Sequence, residues 1–98
     1  MSKRSFTITP RELVLFHRCL SSKICIRIFQ VFHEHKVLNI SAISRKARCT
    51  NNDALKHLRN LVLLGIFQED FYAGRHTFTL NRTLNTELMK KAIEATAT

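Results

Sequence analysis

One amphipathic segment followed by a glycine constrains the fold of this chain more than any other feature. Residues 49–67 read CTNNDALKHLRNLVLLGIF. Plotted at about 100° per residue, the segment predicts a helix from residue 51 or 52 to residue 64 with two distinct faces. The apolar face, which we expect to lie in a core, contains Ala54, Leu55, Leu58, Leu61 and Val62. The opposite face contains Asn52, Lys56, Arg59 and Asn60, with Leu63 as its one apolar residue.

The hydrophobic period changes directly after this helix. Gly65 stands where a residue in the left-handed conformation would end it. Residues 66–72 and 76–80 are rich in aromatic and β-branched side chains, and the short loop between them contains Gly74. This pattern predicts a β-hairpin with the basic Arg75 at its tip.

Four further helices and a short strand complete the predicted order. Thr9-Pro10-Arg11-Glu12 combines a capping Thr, a Pro at the first helical position and a Glu three residues after the cap, which predicts a helix to about residue 20. The other predicted elements are a second helix over residues 22–35, a strand over 37–39, a third helix that begins at Ser41, and a C-terminal helix from Thr83 or Asn85 to about residue 95.

Length and charge indicate a single basic domain. The 98 residues are 45% apolar, which fills one compact core but not two. We expect an N-terminal arm over residues 1–8, a core over 9–82 and a C-terminal helix over 83–98. The formal net charge of +9, from 16 Lys and Arg against 7 Asp and Glu, favours a polyanionic partner, with nucleic acid first. A basic surface that serves solubility or meets an anionic membrane is the alternative.

Other classes of protein are disfavoured by what the sequence lacks. No apolar run approaches the ~20 residues that span a bilayer, and the first ten residues lack the apolar stretch of a signal peptide. We therefore expect a cytoplasmic protein without a membrane partner. Because no P-loop, HExxH, nucleophile-elbow or dinucleotide motif is present, we do not expect an enzyme.

The cysteines and histidines do not form a ligand pattern. Cys19, Cys25 and Cys49 are odd in number and lack CxxC spacing, so reduced thiols are expected, with a redox role for any of them left open. His33 and His35 are two residues apart, and on a helix such side chains point about 200° apart, away from a common ion. We expect neither a metal site nor a cofactor.

The order helix, helix, short strand, helix, tight turn, helix, hairpin is that of a winged helix-turn-helix DNA-binding domain, which is mainly α with a small β-hairpin wing. The stretch NNDALKHLRNLVLLGIF followed by GRHTFTLN resembles the ArsR-like winged-helix transcription regulators and, more distantly, the MarR-like ones, over about residues 24–81. The residues that carry the resemblance are His57-Leu58, Leu61, Gly65-Ile66-Phe67, Gly74-Arg75 and Phe78-Thr79-Leu80.

This resemblance implies a DNA interface. Residues 51–64 become a recognition helix for the major groove, and residues 66–80 a wing on the DNA backbone. By matching position, the DNA-facing residues are Thr50, Asn51, Asn52, Leu55, Lys56 and Arg59, with Arg75 at the wing tip. The helical wheel agrees for Asn52, Lys56 and Arg59 but disagrees for Leu55, which we assign to the core.

The residue types suit that task. Asn can make paired hydrogen bonds to adenine, and Arg or Lys to guanine, in the major groove. Arg45, Lys46 and Arg48 at the end of the third helix, with Arg75, are expected to contact phosphates, which positions the protein without specifying a sequence. Glu69 and Asp70 depart from the family, which often carries basic residues in the strand that leads to the wing.

The resemblance does not extend to metal sensing. Many ArsR-like repressors bind metal through cysteines in the helix before the recognition helix, or through His and carboxylate pairs on the C-terminal helix. The segment NISAISRKA contains no Cys, and LNTELMKKAIEA contains no His.

A homodimer is predicted from apolar residues that lie off the main core stripes. The first helix carries apolar residues on two faces, and the C-terminal helix carries two apolar stripes. The residues assigned to the dimer interface are Leu15, Cys19, Leu88, Met89 and Ile93.

The function predicted from these features is sequence-specific binding of double-stranded DNA for transcription regulation. The first alternative is a sequence-indifferent architectural or chromatin protein, for which the net charge alone would suffice. The second is a winged-helix protein-interaction module, which the outward Leu63 and the acidic Glu69 and Asp70 favour.

Overall fold

The computed structural model of the protein describes residues 8–96, so the predicted N-terminal arm lies outside the described residues except for Ile8. The elements, in chain order, are the helices α1 (Pro10–Leu20) and α2 (Lys23–Val31), the strand β1 (Val37–Asn39), the helices α3 (Ile40–Ala47) and α4 (Asn51–Leu63), the strands β2 (Phe67–Tyr72) and β3 (Arg75–Leu80), and the helix α5 (Leu84–Thr96). The predicted order of elements is confirmed. Within residues 8–96, none of the helices has the length and apolar character needed to cross a membrane.

The three strands form one antiparallel sheet in the order β1-β3-β2. β2 and β3 are the predicted hairpin, and β1 adds to its free side with Leu38 opposite Phe78. Phe78 is completely buried, and Phe67 at the start of β2 is nearly so. The sheet is therefore fixed to the helices at its inner end, while its turn extends away from them.

The core takes residues from every helix and from both hairpin strands, because each element has one apolar face. Its most buried members are Cys25, Ile28, Ile43, Ala47, Ala54, Leu58, Leu61, Ile66, Phe67, Phe78 and Met89. Phe32 and Phe67 pack with their ring centroids 4.5 Å apart, which joins the end of α2 to the start of the hairpin. Burial of a side chain of this size contributes about 1.5 to 3 kcal/mol to stability.

The second helix is shorter than predicted. It ends at Val31 with Phe32 as its C-cap, so His33, Glu34 and His35 lie in an exposed turn and not in the helix. A helix continued to His35 would not fit this position, since the next residue, Lys36, already pairs with the sheet through its carbonyl, which accepts a hydrogen bond from the Leu80 N–H. Among residues 8–96 no group of three His, Cys, Asp or Glu side chains is arranged to hold a metal ion.

The third helix begins at Ile40, directly after the last residue of β1 and one residue before Ser41, where its start was predicted. Asn39, not Ser41, is the N-cap: its Oδ1 accepts a hydrogen bond from the Ala42 N–H at 2.8 Å. An Asn satisfies the free N–H groups of a helix start as well as a Ser does. The last residue of β1 thus also starts α3, and no loop is needed between them.

The N-terminus of α1 is fixed as predicted. Thr9 and Glu12 form a capping box, in which the Glu12 N–H donates to Thr9 Oγ1 and the Thr9 N–H donates to Glu12 Oε1. The Thr9 backbone bond, followed by a bond from the Asn85 amide, holds the pKa of the Glu12 carboxyl below its ordinary value. Both bonds favour the charged carboxylate.

The C-terminal helix packs against α1 and is capped by Thr83. Asn85 fixes its position, since the Asn85 Nδ2 donates to the Leu64 carbonyl at 2.8 Å and to Glu12 Oε2 at 3.1 Å. One amide therefore joins the start of α5 to the start of α1 and to the end of α4.

Four of the five residues assigned to a dimer interface lie in the core of the subunit, so that assignment is wrong for them. They are Leu15, Cys19, Met89 and Ile93, each at most 8% exposed. The helical wheel of α1 puts Leu15 and Cys19 on one apolar face and Phe16 on the other. The structure buries all three because α2, α4 and α5 pack against α1. Leu88 is half-buried.

Cys19 and Cys25 form a disulfide, so the prediction of reduced thiols is wrong for these two residues. The Ser21-Ser22 corner brings the end of α1 back along α2, which places the two Cα atoms 5.2 Å apart. Cys49 is the free cysteine of the described chain. Burial raises the pKa of its thiol, and the charge of Asp53 raises it further, which disfavours a reactive thiolate.

Reduction of this disulfide is expected to lower the free energy of unfolding by about 2 kcal/mol, because it releases a short closed loop in the unfolded chain. Denaturant unfolding of the protein, refolded with and without dithiothreitol, measures the difference. The Cys19→Ala/Cys25→Ala double variant should show no response to the reductant. Equal midpoints for the oxidised and reduced wild-type protein would contradict the expectation.

Candidate nucleic-acid interface

The turn between α3 and α4 is held from both sides. Arg48, the C-cap of α3, adopts the left-handed conformation with φ of 60° and ψ of 53°. The Arg27 Nε on α2 donates to the Ala47 carbonyl at 3.0 Å, which satisfies an end group of α3. On the other side, Thr50 caps α4 by accepting the Asp53 N–H at 3.1 Å. These bonds set the angle between the two helices.

Two predicted DNA-facing residues therefore have structural contacts. Thr50 is the N-cap of α4, and the Asn51 Oδ1 accepts a hydrogen bond from the buried Ser44 hydroxyl of α3. Both residues are exposed at the surface as well. The Thr50 hydroxyl and the Asn51 amide oxygen are therefore engaged inside the protein. Asn52 is the next residue of α4, and its side chain is exposed.

The faces of α4 are those predicted from the wheel. Ala54, Leu58 and Leu61 are completely buried, and Leu55 packs partly buried against the core, as assigned. The side chains on the outer face are Asn52, Lys56, Arg59 and Leu63, all exposed. Leu63 is 68% exposed, which is unusual for a large apolar residue and confirms its outward position.

Basic residues border the N-terminal end of this outer face. Arg45 and Lys46 lie on the exposed side of α3, and Arg48 is exposed in the turn itself. Only Cys49 and Thr50 separate Arg48 from α4, so Arg48 lies close to the start of that helix. The expected phosphate contacts of the three side chains stay a prediction.

The hairpin ends in a two-residue turn. Ala73 and Gly74 both have positive φ, 51° and 78°, the pattern of the type I′ turn that matches the twist of a hairpin. Arg75 is exposed directly after this turn, opposite Tyr72 in the register. Phe71 and Tyr72 are 71% and 79% exposed, so the tip combines one cation with two aromatic rings.

A chain of polar contacts connects α4 to the hairpin. Arg59 Nη2 lies 3.4 Å from Glu69 Oε2, and His76 Nε2 donates to the same oxygen at 2.6 Å. The Phe71 ring stacks on the His76 imidazole with centroids 4.1 Å apart. Glu69 therefore does not turn away from α4; it holds the guanidinium of an outer-face residue.

The structure can be compared with solved ones. It is similar to TubR bound to 24 bp of tubC, from Bacillus thuringiensis serovar israelensis, with a TM-score of 0.67 and 10% identity over 94% of this chain and 99% of that one. For the AntR antimony-specific transcriptional repressor the TM-score is 0.68 and the identity 10%, over 95% of this chain and 86% of that one. For an ArsR family transcriptional regulator the TM-score is 0.67 and the identity 12%, over 94% of this chain and 92% of that one. The sequence matches no protein-family model and no curated protein.

This chain has the winged helix-turn-helix fold. The helix-turn-helix is α3 and α4, and the wing is the β2-β3 hairpin, as the resemblance to the ArsR-like regulators implied. The TM-scores of 0.67 to 0.68 establish this winged-helix architecture, and at identities of 10 to 12% the similarity is one of fold.

Sequence reasoning missed the role of Glu69 in this winged helix. The signal was available, because side chains alternate along a strand and a two-residue turn at Ala73-Gly74 fixes the register. That register puts Phe71 opposite His76. Glu69, two residues before Phe71 in β2, lies on the same face of the sheet. Asp70 lies on the other face, where its carboxylate accepts hydrogen bonds from the Gln68 amide.

Glu69→Gln is expected to change DNA binding in two ways. If the chain binds DNA, loss of one negative charge beside α4 should tighten binding to random DNA, because the carboxylate repels phosphates. Loss of the ion pair with Arg59 should also lower sequence discrimination, since a neutral Gln amide holds the guanidinium less strongly. Fluorescence anisotropy with selected and random duplexes measures both quantities.

Asp70→Asn is the matched control, because it removes one charge from the same strand without touching Arg59. It should leave discrimination unchanged. If the two variants behave alike, the contact between Glu69 and Arg59 has no role in DNA reading.

Proposed function

We propose that this chain is a single winged-helix domain that binds double-stranded DNA in a sequence-specific manner and regulates transcription as a homodimer. The recognition helix α4 would lie in the major groove, with the wing on the backbone. The observation that carries the proposal is the outer face of α4, where Asn52, Lys56 and Arg59 project into solvent beside a basic turn while the opposite face is buried.

Charge and fold support the same function. The net charge of +9 suits a polyanion, and the basic side chains of α3 and of the wing tip would contact phosphates. One structural neighbour was solved with DNA, and two others are described as transcription regulators. These descriptions favour a non-enzymatic role and a cytoplasmic, DNA-associated protein.

Most of the residues first assigned to the dimer interface are buried in the core, so we propose a different set, made of apolar residues that are exposed at the surface. Leu13 and Val14 on α1 are 55% and 50% exposed, and Leu84 at the start of α5 is 65% exposed. Leu13 and Leu84 adjoin Glu12 and Asn85, whose side chains are hydrogen-bonded, so the two leucines lie at the same junction of helices. Light scattering at micromolar concentration tests this part, and a monomer would overturn it.

The function itself is tested by selection from DNA. The purified protein is mixed with random genomic fragments across a salt series, and the fragments retained at high salt are sequenced. Enrichment of one palindromic motif supports the proposal, because two subunits related by a twofold axis read two half-sites. Tight binding at low salt with no selection would favour an architectural protein instead.

A protein-interaction module is the second candidate, and exposed apolar side chains favour it. Leu63, Phe71 and Tyr72 are between 68% and 79% exposed, two of them at the wing tip. Large exposed apolar residues in one region often mark a protein-binding surface. Absence of DNA binding at ~50 mM salt would favour this candidate.

A further inference from the structure

A basic pocket opens between the end of α1 and the middle of α4. Its volume is about 660 Å³, and it is lined by His17, Arg18, Ser21, Lys56, His57 and Asn60. All six side chains are polar, and none of the lining residues that the structure describes is acidic. Arg18 and Lys56 bring two positive charges to one opening, which is the combination that binds phosphate oxygens in proteins.

The pocket lies on the side of α4 away from the wing. At about 100° per residue, Arg59 and Asn60 are on opposite flanks of the outer face, with Lys56 between them. Arg59 contacts Glu69 of the wing, whereas Lys56 and Asn60 line the pocket. The two flanks of the recognition helix thus have different polar neighbours, the wing on one and α1 on the other.

DNA geometry makes that second flank relevant. An α-helix with its side chains is about 10 to 12 Å wide, and the major groove is about 12 Å wide. A helix seated in the groove therefore has a sugar-phosphate backbone close to each flank. If the wing lies on one backbone, the other backbone passes the opening with Arg18 and Lys56.

His57 supports the wall of the pocket in its neutral form. Burial lowers the pKa of the His57 imidazole, while the charge of Asp53 opposes this effect and that of Lys56 adds to it. The His57 Nε2 lies 3.4 Å from Ser22 Oγ, the cap of α2. A neutral imidazole supplies hydrogen bonding without competing with Lys56 for charge.

We propose that this pocket binds a phosphate group, and that in the DNA complex the group is a phosphodiester on the backbone opposite the wing. The DNA part rests on the proposed function. The pocket itself requires only that Arg18 and Lys56, with the polar wall around them, bind a phosphate anion.

The first test compares Arg18→Gln with Arg11→Gln, a matched control on the same helix, since both arginines are exposed. Arg18→Gln is expected to reduce the slope of log K against log salt by about 0.9, the value for one phosphate contact. Binding to selected and random DNA should weaken alike, roughly five- to ten-fold at ~0.1 M salt. Arg11→Gln should leave slope and affinity unchanged.

The second test uses the imidazole NMR signals of His17 and His57, assigned with single His→Gln variants. Sodium phosphate should shift both signals, whereas sodium chloride at the same ionic strength should not, and Arg18→Gln should abolish the shift. This measurement requires no DNA. If wild-type protein fails to bind DNA while phosphate shifts the signals, the proposed function fails and the phosphate pocket stands.

Two other results overturn the inference. A phosphate-dependent shift combined with an unchanged salt slope for Arg18→Gln means that the pocket takes free phosphate, and the DNA assignment is wrong. No shift with phosphate and no change of slope means that the pocket is not a phosphate site.

Discussion

Phe67→Ala is expected to lower the free energy of unfolding by about 3 to 5 kcal/mol, the range for truncation of a buried phenylalanine. Phe67 is 1% exposed and packs against Phe32, so the change leaves a cavity where the wing begins and α2 ends. Denaturant unfolding followed by circular dichroism measures the loss.

Phe71→Ala on the same strand is the control for this effect. Its ring is 71% exposed and stacks on His76 at the surface, so the expected loss is below about 1 kcal/mol. Similar losses for the two variants would show that the wing is not fixed through Phe67.

The double variant Asn52→Ala/Arg59→Ala is expected to lose about 2 to 6 kcal/mol of discrimination between the selected DNA motif and random DNA. Each side chain is expected to contribute about 1 to 3 kcal/mol through contacts with base edges. The two positions are seven residues apart on one helix face, about 10 Å, so their effects should be nearly additive. Competition binding with selected and random duplexes gives the discrimination directly.

Lys46→Ala is the comparison for base reading. Lys46 is exposed at the end of α3, where a phosphate contact is expected, so this change should weaken all DNA sequences alike and lower the salt slope by about one. If the double variant also weakens selected and random DNA by equal factors, Asn52 and Arg59 contact phosphates and do not read bases.

Most of the fold could be predicted because its local signals agree. The capping box at Thr9, the glycine after α4 and the alternating hairpin each indicate one structure, and their order allows few topologies. The errors arose where tertiary contacts decide. α2 ends at Val31, and a few residues later Lys36 is already hydrogen-bonded to the sheet. Which residues of α1 are buried depends on the elements that pack against it, including α5, and a helical wheel of α1 alone does not contain that information.

In the candidate site too, some features could be predicted from local sequence and others depend on packing. The outward direction of Asn52, Lys56 and Arg59 follows from the helical period alone and is found in the structure. The contact between Arg59 and Glu69 joins residues ten apart, and the pocket with Arg18 joins two helices that are separated by more than thirty residues. Such contacts depend on how the elements pack, which a single sequence pattern does not give.

The Asn85 amide has a consequence for how two subunits would be spaced on DNA. It joins the first turn of α5 to the carbonyl of Leu64, the C-cap of α4, and to the first turn of α1. In a dimer formed through α1 and α5, a displacement at the subunit contact would be transmitted to the end of α4 through this one side chain. Under the proposed function, the separation of the two half-sites and the association of the subunits would both depend on this hydrogen-bonded junction of α1, α4 and α5.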